Sequence, residues 1–227
     1  MKKFTAAILC AVLMFTVGGI AFGWGLDSIK SIVPGAGNGG LTKSDIDAYL
    51  NLSKKADDLQ QSSIDNLATI MVNKETLAEI ERRKKATQSI LDPKEKEAAM
   101  TRIMVDEEAA LKKASDAKDA QEKMGKLDEN QKRLAGVATS NLFLSALTNK
   151  ASLDLATGIV KKAQSNPASA VAYATELPKI KDAVVGLPGK IDKTYTLVNK
   201  LISLNKANNI EVVLPKSASD KPQEIPI

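Results

Sequence analysis

Apolar residues recur at three- and four-residue spacing through the first half of the chain, which is the pattern of an amphipathic helix that buries one face. The first such run predicts a helix of roughly seven to eight turns, about 40 Å long. We expect it to begin at Ser44, because Ser44 and Asp47 have the spacing of a capping box. A shorter helix over 75–91 is predicted after a break at Asn73. The apolar positions of the first run are Ile46, Tyr49, Leu50, Leu52, Ala56, Leu59, Ile64, Leu67, Ile70 and Met71.

A second long helix is predicted over residues 93–124. Pro93 suits the first position of a helix, and Asp92 before it can cap the free backbone N–H groups together with Glu95. The helix should end at Gly125, since glycine commonly follows the last turn. Its apolar positions are sparse, so we expect it to lie on the outside of the fold with a narrow buried face.

The centre of the fold is predicted to be a helix over about 128–164. Residues 134–149 carry no charge, and a helix that is apolar or small on nearly every side belongs in the interior. A membrane span is the alternative, but this stretch has only 16 residues and includes Thr139, Ser140 and Asn141. A span needs about 18 or more residues with few polar ones. We therefore expect a buried helix around which the other helices pack.

Prolines divide the part of the chain that follows. Pro167 and Pro178 are predicted to begin short helices, because proline is well tolerated at the first helical position. The sequence Gly-Leu-Pro-Gly at 186–189 is predicted to form a turn before a last helix that ends at Asn208 and Asn209.

The C-terminal end lacks a helical pattern. A brief extended strip over 210–214 precedes a polar, proline-containing tail over 215–227, which we expect to be disordered. The predicted fold class is therefore all-α. It is an elongated antiparallel helical bundle over 41–214, with a central apolar helix, short C-terminal helices divided by proline, and a disordered tail.

Residues 1–23 are predicted to be a secretory signal peptide of bacterial type. Two lysines precede an uncharged, mostly apolar run, and Ala21 and Gly23 place small residues at the −3 and −1 positions of a cleavage site. An uncleaved membrane anchor is the alternative. Lipid attachment at Cys10 is rejected, because Leu9 stands where that modification needs a small residue. We expect an exported protein, periplasmic or extracellular.

Residues 24–40 are predicted to be an apolar segment, 24–33, joined to the bundle by a glycine-rich linker, 34–40. The segment either folds back into a groove of the bundle or docks on a membrane surface or a protein partner. Both interpretations stay open at this stage. The candidate docking residues are Trp24, Leu26, Ile29, Ile32 and Val33.

Missing residue types exclude several chemistries. Cys10 is the only cysteine and the chain has no histidine. Thiol nucleophiles, Ser-His-Asp and Cys-His catalysis and the usual Cys/His zinc sites are therefore absent from the mature chain. No calcium-binding loop or phosphate-binding loop occurs either. We predict no cofactor, no metal ion and no catalytic residue.

The charge indicates a weakly basic protein. The formal net charge is +5, and two of these charges lie in the predicted signal peptide. The basic run at 82–85 has acidic residues one helical turn away, so we expect a solvated, self-neutralised surface. No nucleic-acid-binding motif accompanies it, and no nucleic acid partner is predicted.

Three classes of function remain. The preferred one is an exported, non-catalytic bundle that acts by binding, as a scaffold, adaptor or envelope accessory protein. The second is a lipid-binding or membrane-perturbing helical protein, suggested by residues 24–33 and the central helix. The third is an enzyme that uses carboxylates or a Ser-Lys pair. It is disfavoured because the adjacent acids at 57–58 and 107–108 diverge by about 100° on a helix. The capped, alanine-rich helices are too generic to indicate a family.

Overall fold

The structure is a computed structural model that describes residues 40–225, and these residues form helices and no strand. The predicted signal peptide and the candidate docking segment lie outside the described residues. The all-α class is confirmed. The helices are α1 (Lys43–Met71), α2 (Lys74–Thr87), α3 (Pro93–Asp116), α4 (Ala120–Gly125), α5 (Glu129–Ser165), α6 (Pro167–Ala170) and α7 (Leu177–Ala207), with a 3-10 turn at Val171–Tyr173 between the last two.

The three longest helices form the body of the bundle and alternate in direction. Lys162, near the end of α5, binds Asp45, near the start of α1, with 2.8 Å between Nζ and Oδ1. The side-chain amide of Asn205, near the end of α7, donates to the hydroxyl of Thr139, near the start of α5, at 2.9 Å. Helix α5 therefore runs antiparallel to both α1 and α7, which point the same way.

Helices α2 and α3 form a hairpin on one side of this body. Arg83 of α2 binds Asp106 of α3 at 2.7 Å, and Lys84 binds Glu107 at the same distance. The turn of the hairpin projects into solvent, and Leu91 within it is 96% exposed. Helix α3 runs parallel to α1 and α7 and buries only a narrow face, as predicted.

The core consists of two clusters, one toward each end of the bundle, and α5 contributes to both, as expected of the central helix. The small side chains of its alanines let α1 and α7 each approach α5 closely. The larger cluster contains Ile64, Leu67, Met71, Leu111, Ala120, Met124, Ala135, Ala138, Leu142, Leu197, Val198, Leu201, Leu204 and Ile210. The smaller one contains Leu41, Ile46, Tyr49, Ala156, Ile159, Ala163, Leu177 and Ile180.

The N-cap of α1 lies two residues before the predicted one. Thr42, rather than Ser44, is the N-cap: its hydroxyl accepts from the backbone N–H of Asp45, whose carboxylate accepts from the N–H of Thr42 at 3.0 Å. Asp47, the predicted partner of Ser44, binds Lys43 at 2.5 Å. Both Thr42 and Ser44 are followed by an aspartate three residues later, and spacing alone does not distinguish the two boxes.

The predicted starts of α2, α3 and α5 are confirmed, and one predicted helix is divided. Asn73, Asp92 and Asp128 cap α2, α3 and α5 with their side chains. The predicted helix over 93–124 is interrupted at Ala117, whose backbone is extended, so that α3 ends and the short α4 follows.

The predicted turn at 186–189 is wrong, because α7 continues through Pro188. A proline inside a helix costs about 3 kcal/mol through its missing N–H and its ring. Ile180 and Ile191 lie on either side of it and are both buried. They are eleven residues apart, about three turns, and therefore occupy the same face only if the helix is continuous. Burial of this face outweighs the local penalty. Pro167 and Pro178 do stand at helix starts, as predicted.

The C-terminal segment, residues 210–225, forms no helix or strand, in line with the predicted irregular strip and tail, yet it lies against the bundle. The hydroxyl of Ser140 donates to the carbonyl of Val213 at 2.5 Å. Asn141 and the backbone of Gln223 exchange two hydrogen bonds, at 2.9 and 2.8 Å. The uncharged face of α5 thus has a second role: it holds the tail.

Candidate binding groove between α3 and α7

A groove of about 740 Å³ separates α3 from α7, with α1 as its floor. The side chains of Lys200 and Asp116 come within 3.9 Å across the gap. Helix α3 packs mainly on α1 and α2, and α7 packs mainly on α5, so α3 and α7 make few contacts with each other.

One face of each helix lines the groove. On α3 the lining residues follow helical spacing over three turns: Thr101, Met104, Val105, Glu108, Ala109 and Lys112. On α7 they include Gly186, Gly189, Lys190, Lys193, Thr196 and Leu197. The surface is mainly apolar, with lysines along its rim. Val105 is 57% exposed, so its side chain is available to a ligand in the groove.

Two glycines widen the α7 side of the groove. A Cβ added at Gly186 or Gly189 would have no heavy atom within 4 Å apart from local backbone. Each glycine costs about 1 kcal/mol in a helix relative to alanine. The structure shows no close approach that requires glycine at either position. Their effect on shape is that the α7 side of the groove has no side chain at these two positions.

The floor of the groove carries two acceptors. Gln60 of α1 is 1% exposed, and its side-chain N–H donates weakly to Glu108 at 3.4 Å. Its carbonyl oxygen has no hydrogen-bond partner among the described residues. A buried amide oxygen without a donor is costly, by about 1–3 kcal/mol. The opposite amide orientation would place that oxygen against the Glu108 carboxylate, which is worse. This oxygen is itself fully buried, so it is not accessible to a ligand in the groove.

Glu108 is the second acceptor at the floor of the groove, and it is only partly buried. Burial raises the pKa of Glu108, and nearby Lys190 and Lys193 lower it only in part. Lys190 is engaged elsewhere, since it binds Asp57 at 2.6 Å. A carboxylate that is partly removed from water and lacks a close cation gains from any ligand that brings a hydrogen-bond donor or a positive charge.

The neighbouring acid, Glu107, faces away from the groove. It binds Lys84 at 2.7 Å and is 1% exposed. Burial raises the pKa of Glu107, and Asp65 adds to this effect while Lys84 opposes it. Glu107 and Glu108 therefore have separate environments, as the helical geometry predicts. This arrangement does not form a shared acid-base pair.

The basic run at 82–85 is largely neutralised by nearby acids, as expected. Arg82 binds Glu79 at 2.8 Å, and the next two basic residues bind acids of α1 and α3. Within residues 40–225 no group of three or more acidic, histidine or cysteine side chains is placed to hold a metal ion. Over the same residues no helix has a stretch both long and apolar enough to cross a bilayer.

Comparison with protein-family models, with curated proteins and with solved structures finds no match to this chain. The groove is therefore the basis for a functional argument, together with the sequence.

Sequence patterns did not reveal the groove, although two signals for it were present. Met104 and Val105 belong to a stripe that looks like ordinary core spacing, and only the structure shows that the stripe faces a gap. The glycines at 186 and 189 predict a turn by their sequence. In a continuous helix the same glycines become part of a wall.

Proposed function

We propose that this protein is an exported, non-catalytic helical bundle that acts by binding, as a scaffold, adaptor or envelope accessory protein, and that the α3–α7 groove is its binding surface. The observation that supports this most directly is the apolar groove with the partly buried Glu108 at its floor. Concave apolar surfaces with a few convergent polar groups are the usual form of a binding site.

The dimensions of the groove favour a short helical or extended segment of a protein as ligand. Its α3 wall extends from Thr101 to Lys112, about 16 Å at 1.5 Å per residue. An amphipathic helix of about three turns would place apolar side chains against Met104 and Val105. Its donors could then reach Glu108. This is the helix-in-groove mode of recognition, in which a few apolar anchors carry most of the affinity.

Site-specific photo-cross-linking in intact cells tests this proposal. A photoreactive residue at Val105 should give a discrete adduct with another protein, because this side chain lies in the groove and is exposed. The same residue at Leu91, which is 96% exposed and outside the groove, is the matched control and should give none.

A second substitution establishes that the adduct depends on the groove. Gly189→Leu places a side chain in the groove and should remove the Val105 adduct. Gly158→Leu, on α5 and outside the groove, should leave the adduct intact. Neither glycine has an atom within 4 Å of an added Cβ. No adduct from Val105, or an adduct equally strong from Leu91, would refute the groove as the binding surface.

The lipid-binding alternative loses part of its motivation, because the apolar residues of α5 are buried between α1 and α7. What remains of it rests on residues 24–33. Flotation with liposomes is the appropriate test, and absence of the protein from the lipid fraction would remove this alternative.

A further inference from the structure

We propose that residues 24–33 of this chain occupy the α3–α7 groove in the free protein, as a resident segment that an external ligand has to displace. This inference rests on the proposed function in one respect, since it takes the same groove to be the binding surface. Three properties support it: the length of residues 24–33, the chemistry of their side chains, and the distance that the linker can span.

The length of the segment matches the groove. As a helix, which its apolar spacing predicts, a ten-residue segment is about 15 Å long. The groove wall from Thr101 to Lys112 is about 16 Å long on the same measure.

The chemistry of the segment also fits. Its apolar residues would cover Met104 and Val105, and it has donors for the Glu108 carboxylate at the floor. The indole N–H of Trp24 is a donor only, and Lys30 brings a positive charge. Either group can pair with this partly buried carboxylate.

The linker is long enough to place the segment there. The bundle begins at a fixed point, because the backbone N–H of Leu41 donates to the hydroxyl of Ser169 at 2.9 Å. The near end of the groove, at Gly186, lies one helical turn before Lys190, which pairs with Asp57 of α1. It is therefore about 15 Å along the bundle from the start of α1. The seven residue steps from Val33 to Gly40 span up to about 23 Å.

Disulfide trapping in the full chain tests this placement. Replacing Cys10 by alanine leaves no native cysteine, whether or not residues 1–23 are removed. The test variant carries Ser31→Cys with Gly189→Cys, and the control carries Ser31→Cys with Gly158→Cys. Both glycines are helical and have open space at the Cβ position. Under mild oxidation of the purified protein we expect an intramolecular disulfide in the test variant about tenfold faster than in the control, because docking raises the effective concentration.

Three results would overturn the inference. Equal rates in the two variants would mean that the segment samples the surface without preference. Absence of a disulfide in the test variant would place the segment elsewhere. Disulfide-linked dimers whose yield rises with protein concentration would assign the groove to a second copy of the chain.

Fluorescence of Trp24, the only tryptophan, gives an independent measurement. We expect blue emission in the native protein relative to the same protein in denaturant, and a red shift in Val105→Arg. Leu91→Arg, with its change at an exposed position outside the groove, should have no effect. Emission as red as in denaturant, or no response to Val105→Arg, would overturn the inference.

Failure here is distinguishable from failure of the proposed function. The trapping and fluorescence measurements use the purified chain alone, whereas the Val105 adduct requires a partner in cells. An adduct without trapping would mean that the groove binds a partner but has no resident segment. Trapping without an adduct would mean that the groove holds residues 24–33 but does not bind a partner in cells.

Discussion

Replacing Gly136 by alanine should detach the C-terminal segment from α5. A Cβ at this position would lie 2.1 Å from the carbonyl oxygen of Glu211 and 3.5 Å from a methyl carbon of Ile210. Because the obstruction is backbone, it cannot be relieved by a rotamer change, and the chain at Glu211 has to move by more than about 1 Å. The same substitution at Gly158, in the same helix, meets no atom within 4 Å and serves as the matched control.

The magnitude follows from what the movement breaks. Hydrogen bonds from Ser140 and Asn141 hold the C-terminal segment to α5. Three such bonds contribute about 1 kcal/mol each in net terms, so the loss is about 3 kcal/mol before any loss of Ile210 packing. Alanine returns about 1 kcal/mol through helix propensity. We therefore expect Gly136→Ala to destabilise the fold by about 2 kcal/mol and Gly158→Ala to stabilise it by about 1 kcal/mol.

Thermal unfolding followed by circular dichroism separates these outcomes. At about 2–4 °C per kcal/mol for a chain of this size, Gly136→Ala should lower the Tm by about 4–8 °C and Gly158→Ala should raise it by about 2–4 °C. Limited trypsin digestion should also cleave after the exposed Lys216 sooner in Gly136→Ala than in wild type. If both variants raise the Tm alike and Lys216 stays protected, the C-terminal segment does not depend on close approach at Gly136.

Three further predictions concern the charged groups and the core. Thr42 and Lys162 outweigh burial and lower the pKa of Asp45 below its ordinary 3.8, so Asp45→Asn should cost about 1–2 kcal/mol at pH 7. That cost should disappear as the pH falls through the folded-state pKa, which urea titrations at several pH values measure. Because burial raises the pKa of Glu108 above its ordinary 4.5, Glu108→Gln should raise the Tm at pH 7, with no difference well below pH 4.5, where the glutamate is protonated in both states. Leu142→Ala in the core should cost about 3 kcal/mol and Leu91→Ala less than about 0.5, as measured by denaturant unfolding.

Much of the fold could be predicted because the relevant signals are local. Asp92 and Asp128 stand directly before helices, and a capping side chain acts on backbone groups only two or three residues away. The central position of α5 follows equally directly, since residues 134–149 have no charge to place in water. Neither inference depends on which helices are neighbours in the fold.

Two features could not be predicted from local signals: the continuous helix through 186–189, where the sequence predicts a turn, and the attachment of the C-terminal segment to α5. Pro188 has a local cost that sequence patterns register, whereas the gain from keeping Ile180 and Ile191 on one buried face depends on the rest of the bundle. The tail is likewise polar and proline-containing, and its hydrogen bonds are to Ser140 and Asn141, more than seventy residues away in the chain. Composition predicts its lack of helix correctly but carries no information about that partner face.

The helical glycines show why the groove in particular had to come from the structure. In sequence Gly136, Gly158 and Gly189 are equivalent: each is a residue that weakens a helix by about 1 kcal/mol. In the fold they differ, because Gly136 touches the backbone of Glu211 while the other two face open space. Gly189 alone of these three stands in a wall that faces a second helix across a gap. Whether a missing side chain permits a contact or leaves a cavity is decided by the distance to the facing element, and that distance depends on how α3 is packed on α1 and α7 on α5.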